Sequence, residues 1–296
     1  MCIRDRKKIG IQGIQGSFHH IAVNTYFGNN ISLYEFLSFE EMVIDLFNEK
    51  IDYALMAIEN STAGSIIPNY ALIDEYDVKI VGENYLEISH NLMALKEQSL
   101  AEIKEVHSHP MALLQCRDFF KKNPKIKLIE EKDTAHVAKK ISEQKISGVA
   151  AIASESAAKI YNLNIIEHNI QTIKKNQTRF VVLEKNFKTD SVSNNKASLK
   201  FELDHKRGSL ATILNVLSDC KLNLTKIQSM PKIESPWRYS FFVDITFENI
   251  KDYLKAKSII QIMAKEFKVL GEYKLSLIHI SEPTRRYAIS YAVFCL

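Results

Sequence analysis

The sequence is poor in several things that would decide its class at once. It has one tryptophan, six prolines and nine glycines in 296 residues. That excludes collagen-like and Gly/Pro-rich low-complexity architectures. No apolar run reaches the roughly 18 residues that a membrane-spanning helix requires, so none is expected. Four cysteines stand at positions 2, 116, 220 and 295. They have no disulfide-framework or metal-ligand spacing, and they point to a reducing, cytoplasmic setting. Net formal charge is only +4. This argues against nucleic acid or a membrane surface as the main partner. Residues 9–34 contain no Asp, Glu, Lys or Arg, yet are rich in Gly, Gln, Asn, Ser and His.

The two ends form a separate class. Met1–Arg6 and Leu275–Leu296 continue no period from the interior and resemble translated sequencing-adapter read-through. They are expected to be non-native and are set aside from fold reasoning. No apolar core follows Met1–Arg6, so no signal peptide is expected.

The remainder reads as alternating strands and helices. Strands are expected at 8–12, 31–37, 52–58, 106–108, 126–129, 149–152 and 178–183, with extended crossings at 78–95 and 160–180. Helices are expected at 17–27, 38–48, 67–75, 110–122, 133–143 and 154–161. Ser17, Ser38, Asp133 and Ser154 stand where helix N-caps belong, with Glu41 three residues after Ser38. Such alternation predicts an α/β fold with mostly parallel sheets, here two lobes joined at the crossings near 80–95 and 160–180. A ligand would lie between the lobes. A polar linker, 186–196, leads to a second unit at 197–274. Its order is βαββαβ, a ferredoxin-like topology.

The candidate chemistry lies in polar islands where strands end. Gly13–Phe18 joins a strand to a helix start, where free N–H groups favour an anion. It lacks the third glycine and downstream acid of a dinucleotide fingerprint, and no Lys-Ser/Thr completes a P-loop. Glu59–Ser65 groups amides and hydroxyls after the third strand, though by themselves these residues are better explained by a satisfied turn. Ser108–Cys116 opens another helix, with Gln115 in its second turn. His107 and His109 make a lone pair with no further metal ligands and read as surface histidines. Cys116 reads as a small buried residue rather than a nucleophile. Gln177–Phe180 places a hydroxyl beside Arg179, whose guanidinium suits a carboxylate. No Ser-His-Asp set and no paired carboxylates stand out. These residues describe a binder of a small anion with an accessory unit, and leave enzyme and sensor both open.

Taken in order, the islands resemble the prephenate dehydratase family. The matching pieces are Gly13–Phe18, Ile58–Ser61, Ser108–Pro110 with Gln115-Cys116, Ala153–Ala158 and Thr178–Phe180, within residues 7–185. The unit at 197–274 resembles an ACT domain through Gly208–Ala211 and Asn223–Pro231. The resemblance implies a catalytic domain shaped like a periplasmic binding protein, which decarboxylates and dehydrates prephenate to phenylpyruvate. It requires no cofactor and no metal. By the same resemblance Thr178, Asn60 and Gln115 are catalytic. Arg179, Phe180, Ser17, Ser61, Ser154 and Ser156 are expected to contact substrate. The ACT resemblance implies feedback regulation by L-phenylalanine in a homodimer or homotetramer. Gly208, Ser209, Leu210, Ala211, Asn223, Leu224, Gln228 and Ser229 are its expected effector residues. One departure stands out: Gln228 and Met230 replace the acid and the arginine of the usual Glu-Ser-Arg-Pro motif. No chorismate mutase helix precedes residue 7, so a monofunctional enzyme is expected. Arogenate dehydratase, which has the same motifs, and a non-catalytic anion sensor are the competing readings.

Overall fold

A computed structural model describes residues 6–186, 193–204, 206–232 and 238–276. The expected non-native ends, apart from Arg6, Leu275 and Ser276, lie outside the described residues, as do positions 187–192 of the expected linker. The chain divides into two compact units. One holds residues up to Val78 with Asn84–Lys185. The other holds Lys79–Glu83 with the residues from Asn186 onward.

In the first unit the chain begins with β1 (Lys7–Gln12), α1 (Phe18–Phe27), β2 (Ile31–Phe36), α2 (Phe39–Phe47) and β3 (Tyr53–Asn60). β4 (Gly64–Ser65), α3 (Ile67–Glu75) and β5 (Lys79–Glu87) follow, the first five residues of β5 belonging to the second unit. The next lobe comprises β6 (Asn91–Ala94), β7 (Glu105–Ser108), α4 (Pro110–Gln115), α5 (Arg117–Lys122) and β8 (Lys127–Glu130). It continues with α6 (Thr134–Gln144), β9 (Val149–Ala153), α7 (Glu155–Ile160) and β10 (Asn164–Glu167), and the chain then returns as β11 (Gln177–Glu184).

One sheet runs β2-β1-β3-β11-β5, with β4 on β3; the other runs β10-β6-β9-β7-β8. Both are mixed rather than mostly parallel. β1 is parallel to β2 and β3, and β7 to β8 and β9. The segments at the crossings enter the other way: β11 against β3, β6 against β9, and β10 against β6. A chain that leaves one lobe and re-enters it inserts its returning strand antiparallel, which simple strand–helix alternation does not reveal.

Local chemistry explains the helix starts. Ser17, Ser38, Asp133 and Ser154 each accept a backbone N–H with the side chain, three residues on. Two boundaries differ from the sequence reading. β3 continues through Glu59 and Asn60, because both pair with β4 and β11. The helix expected over 110–122 is two, broken at Cys116, whose buried side chain joins the core of the second lobe. β10, four residues with no clear period, lies within the extended crossing expected at 160–180.

Gly16 sits at φ +88° beside α7. A Cβ there would lie 2.9 Å from the Ala157 Cα. Ser154 Oγ donates to the Gly16 carbonyl at 2.5 Å, joining the two lobes.

The second unit contains β12 (Lys196–Glu202), α8 (Ser209–Asp219), β13 (Asn223–Pro231), β14 (Tyr239–Thr246), α9 (Ile250–Met263) and β15 (Glu266–Tyr273). Its sheet order is β13-β14-β12-β15, so the two β-α-β halves interleave. Leu199, Phe201, Ile213, Leu217, Val243, Ile245, Tyr253 and Ile260 fill its core. Lys196 and Glu83 form an almost fully buried ion pair at 2.8 Å within this unit.

Candidate active site

The site begins with a register. In the antiparallel β3–β11 pair, Thr178 lies opposite Asn60. Asn60 Nδ2 donates to Thr178 Oγ1 at 2.9 Å, and both residues are buried. Asn60 Oδ1 in turn accepts the backbone N–H groups of Thr62 and Ala63 at 3.0 and 2.9 Å. Gln115 ends α4 on the other lobe, and its Nε2 reaches Asn60 Oδ1 at 3.2 Å and Thr62 Oγ1 at 2.8 Å. The three residues expected to be catalytic, separated by up to 118 positions, are thus one hydrogen-bonded group.

They open onto a cavity of about 730 Å³ between the lobes of the first unit. Ser17, Phe18, Phe39, Ile66, Met111 and Phe180 are among its walls. Lys132, Asp133 and His109 also line it; His109 is exposed, as expected of a surface histidine. His19 lines it too, packed edge-on to Phe180 with ring centroids 5.0 Å apart. Its Nε2 is buried without a hydrogen-bond partner. Burial holds its pKa down at about 4, so the ring is neutral at ordinary pH. Burial likewise raises the Asp133 carboxyl.

Four expected substrate contacts are not on the cavity wall: Arg179, Ser61, Ser154 and Ser156. Successive side chains of a strand point to opposite faces. With Thr178 facing the cavity, Arg179 is buried on the other side, and the same alternation returns Phe180 to the wall. Ser154 is occupied as cap and lobe bridge, and Ser61 Oγ accepts from the Gln177 N–H. Ser17 does line the cavity. Cys116 is buried, which pushes its thiol up to about 12 and makes it no nucleophile.

Sequence reasoning missed three members of the group. Asn176 Oδ1 accepts from Asn60 at 2.7 Å, and its Nδ2 donates to Gln115 Oε1 at 2.9 Å. His90 Nε2 meets the same Gln115 oxygen at 2.8 Å. Thr62 Oγ1 lies 2.8 Å from Asn60 Oδ1.

In the second unit, Ser209 and Leu210 line a small cavity of about 130 Å³ with Asp204, Lys206, Arg238 and Tyr239. The other expected effector residues (Gly208, Ala211, Asn223, Leu224, Gln228 and Ser229) do not. Leu224 packs on the core instead.

Residues 9–188 match the model of the prephenate dehydratase family. A bifunctional chorismate mutase/prephenate dehydratase of Buchnera aphidicola is 35% identical over 269 residues, covering 88% of this chain and 69% of the relative. The prephenate dehydratase of Methanocaldococcus jannaschii is 36% identical over 241 residues, covering 78% and 85%. A prephenate dehydratase of Arthrobacter aurescens, solved in complex with L-Phe, superimposes with a TM-score of 0.82. It is 21% identical, covers 90% of each chain, and shows the shared fold. With its cavity built on Asn60, Gln115 and Thr178, and its family match across the whole catalytic unit, this chain belongs to the prephenate dehydratase family.

Proposed function

We propose that the cavity carries out the family's reaction, the decarboxylating dehydration of prephenate to phenylpyruvate, with Thr178 acting on the leaving hydroxyl. In this reaction the bond from the ring to its carboxylate breaks and releases CO₂. Its electron pair enters the ring, and the ring C–O bond opposite breaks to release hydroxide. The ring becomes aromatic, which makes the step strongly downhill. The step needs no external oxidant or reductant.

The observation that carries the reading is the direction of one hydrogen bond. Asn60 donates to Thr178 Oγ1, so the Thr178 proton is directed elsewhere, toward an acceptor in the cavity. A departing hydroxyl is such an acceptor. Thr178 keeps its proton and stabilises the growing charge on oxygen, as an aimed donor in a secluded site does. Lys132 is a basic group on the wall, placed to attract a dianion, whereas desolvation lowers the His109 pKa and disfavours its charged form. Arogenate differs from prephenate only in the side chain, an amino acid in place of a keto acid. Equal or faster turnover of arogenate would reassign the substrate, and a folded protein that binds prephenate without turnover would favour the sensor reading.

The second unit is read as an ACT regulatory domain that binds L-phenylalanine and reports it to the catalytic unit in a homodimer or homotetramer. Its β-α-β-β-α-β order supports this. So does Gly208, which caps α8 at φ +83°, where a side chain would be strained. Arg238 beside Ser209 and Leu210 offers a cation that Met230 no longer supplies. The A. aurescens protein bound L-Phe within a similar fold. The free, buried thiols Cys116 and Cys220 accord with a reducing cytoplasm. The test is prephenate turnover by the full chain with and without L-phenylalanine, alongside its mass in solution. Suppression by L-phenylalanine in an oligomer supports the regulatory reading; indifference to it removes that reading and leaves the enzyme.

A further inference from the structure

The amide groups around Thr178 have a fixed polarity, and its source can be traced. Asn60 Oδ1 is held by two backbone N–H groups, those of Thr62 and Ala63. Backbone donors cannot reverse, so Asn60 must present its Nδ2 to Thr178 and to Asn176. Asn176 therefore faces Asn60 with Oδ1 and faces Gln115 with Nδ2. Gln115 must then turn Oε1 toward Asn176 and His90, and Nε2 toward Asn60 and Thr62. The circuit closes on the atom where it began.

We infer that Asn176 and His90 are positioning residues that lock the Gln115–Asn60 amide circuit in the sense that aims the Thr178 hydroxyl proton into the cavity. The inference rests on the dehydratase reading of this cavity. His90 must carry its proton on Nε2, because the atom it meets is a carbonyl oxygen. Its Nδ1 is buried without a partner, and burial lowers its pKa, keeping the ring neutral. Among the circuit's members only His90 titrates. His19, His109, Lys132 and Asp133 stand on the surrounding wall, and none of them is substituted in the variants compared.

Asn176→Asp tests this with one atom. The carboxylate puts oxygen against Gln115 Oε1, and the Gln115 amide must turn over. Its Nε2 then faces His90, and its oxygen opposes Asn60 Oδ1. Two readouts follow. The first needs only folded protein: nitrogen-15 NMR of the histidine rings. His90 is expected as the Nε2–H form in the wild type and as the Nδ1–H form in Asn176→Asp at neutral pH. The second is kinetic. At about pH 8, kcat for prephenate falls by about tenfold or more while KM stays within about twofold, the mark of an interaction made chiefly in the transition state. As pH falls toward about 5 the new carboxyl becomes protonated and regains a donor for Gln115, so kcat recovers relative to wild type. Asn176→Ala loses turnover without that acid recovery.

An Nδ1–H His90 in the wild type would overturn the inference. So would an unchanged tautomer in Asn176→Asp, or a kcat ratio flat with pH. Absence of wild-type turnover on prephenate, with the tautomer switch intact, would instead remove the dehydratase reading and leave the circuit standing.

Discussion

The hydrogen-bonded circuit around Asn60, buried or half-buried throughout, is neutral: three amides, two threonine hydroxyls and an uncharged imidazole. The C-terminal unit buries ions instead. Lys196 meets Glu83 out of contact with water, and Lys200 reaches Glu266 at 2.8 Å. Ser198 hydrogen-bonds the buried Asp244. The difference follows from what each region must do. A fixed buried cation beside the leaving carboxylate would stabilise the substrate as much as the transition state and add nothing to the rate. Neutral donors aimed at the departing oxygen gain strength only as charge appears there. A region away from the reacting cavity carries no such restriction. Its ion pairs cost desolvation and are unforgiving of a missing partner.

Breaking each side of this contrast should fail differently. Thr178→Ala removes the aimed hydroxyl, and kcat is expected to fall about 10²–10³-fold with the unfolding midpoint little changed. Near-full turnover would end the assignment. Lys196→Met leaves Glu83 charged and buried, and denaturant unfolding should show a loss of about 3–5 kcal/mol. Lys196→Met with Glu83→Leu should recover most of that loss, since an apolar pair of similar volume is tolerated there. If the double variant is as unstable as the single, the pair is not the source.

The smallest effect concerns His19. Its folded pKa lies near 4, against 6.5 for the unfolded chain, so the unfolded state binds the extra proton in between. The stability from burying the neutral ring is therefore full above about pH 6.5 and is lost as pH falls toward about 4. His19→Phe should flatten the stability profile across that window. A profile as steep as wild type would place the acid sensitivity elsewhere.

Much of the lobed fold was legible because its helices announce themselves with caps and its strands with short apolar runs. Asn60, Gln115 and Thr178 were legible as residues, because amides and hydroxyls clustered at strand ends are unusual enough to notice. Their partners were not. Asn176 and His90 join the circuit only through the returning strand and the crossing at β6, which no local pattern specifies. His90 lay within an extended stretch, and only the polar triplet Ser89-His90-Asn91 marked it. Arg179 is a different failure. Alternation along a strand forbids Thr178 and Arg179 from facing the same way, so the sequence already contained the signal that separates them. The mixed sheets were hidden for the same reason as Asn176: direction of pairing is a property of the whole crossing.

The contact of Gly16 with α7 sets an aperture. With a hydrogen at that Cα, the turn before Ser17 rests against Ala157, and one serine hydroxyl latches it there. A single methyl group would act as a shim, wider than the gap it enters. The lobes would then stand ajar, and Gln115 would be drawn back from Asn60 although neither residue had changed. The width of the active cleft is thus gauged at a glycine that is not part of the cavity wall.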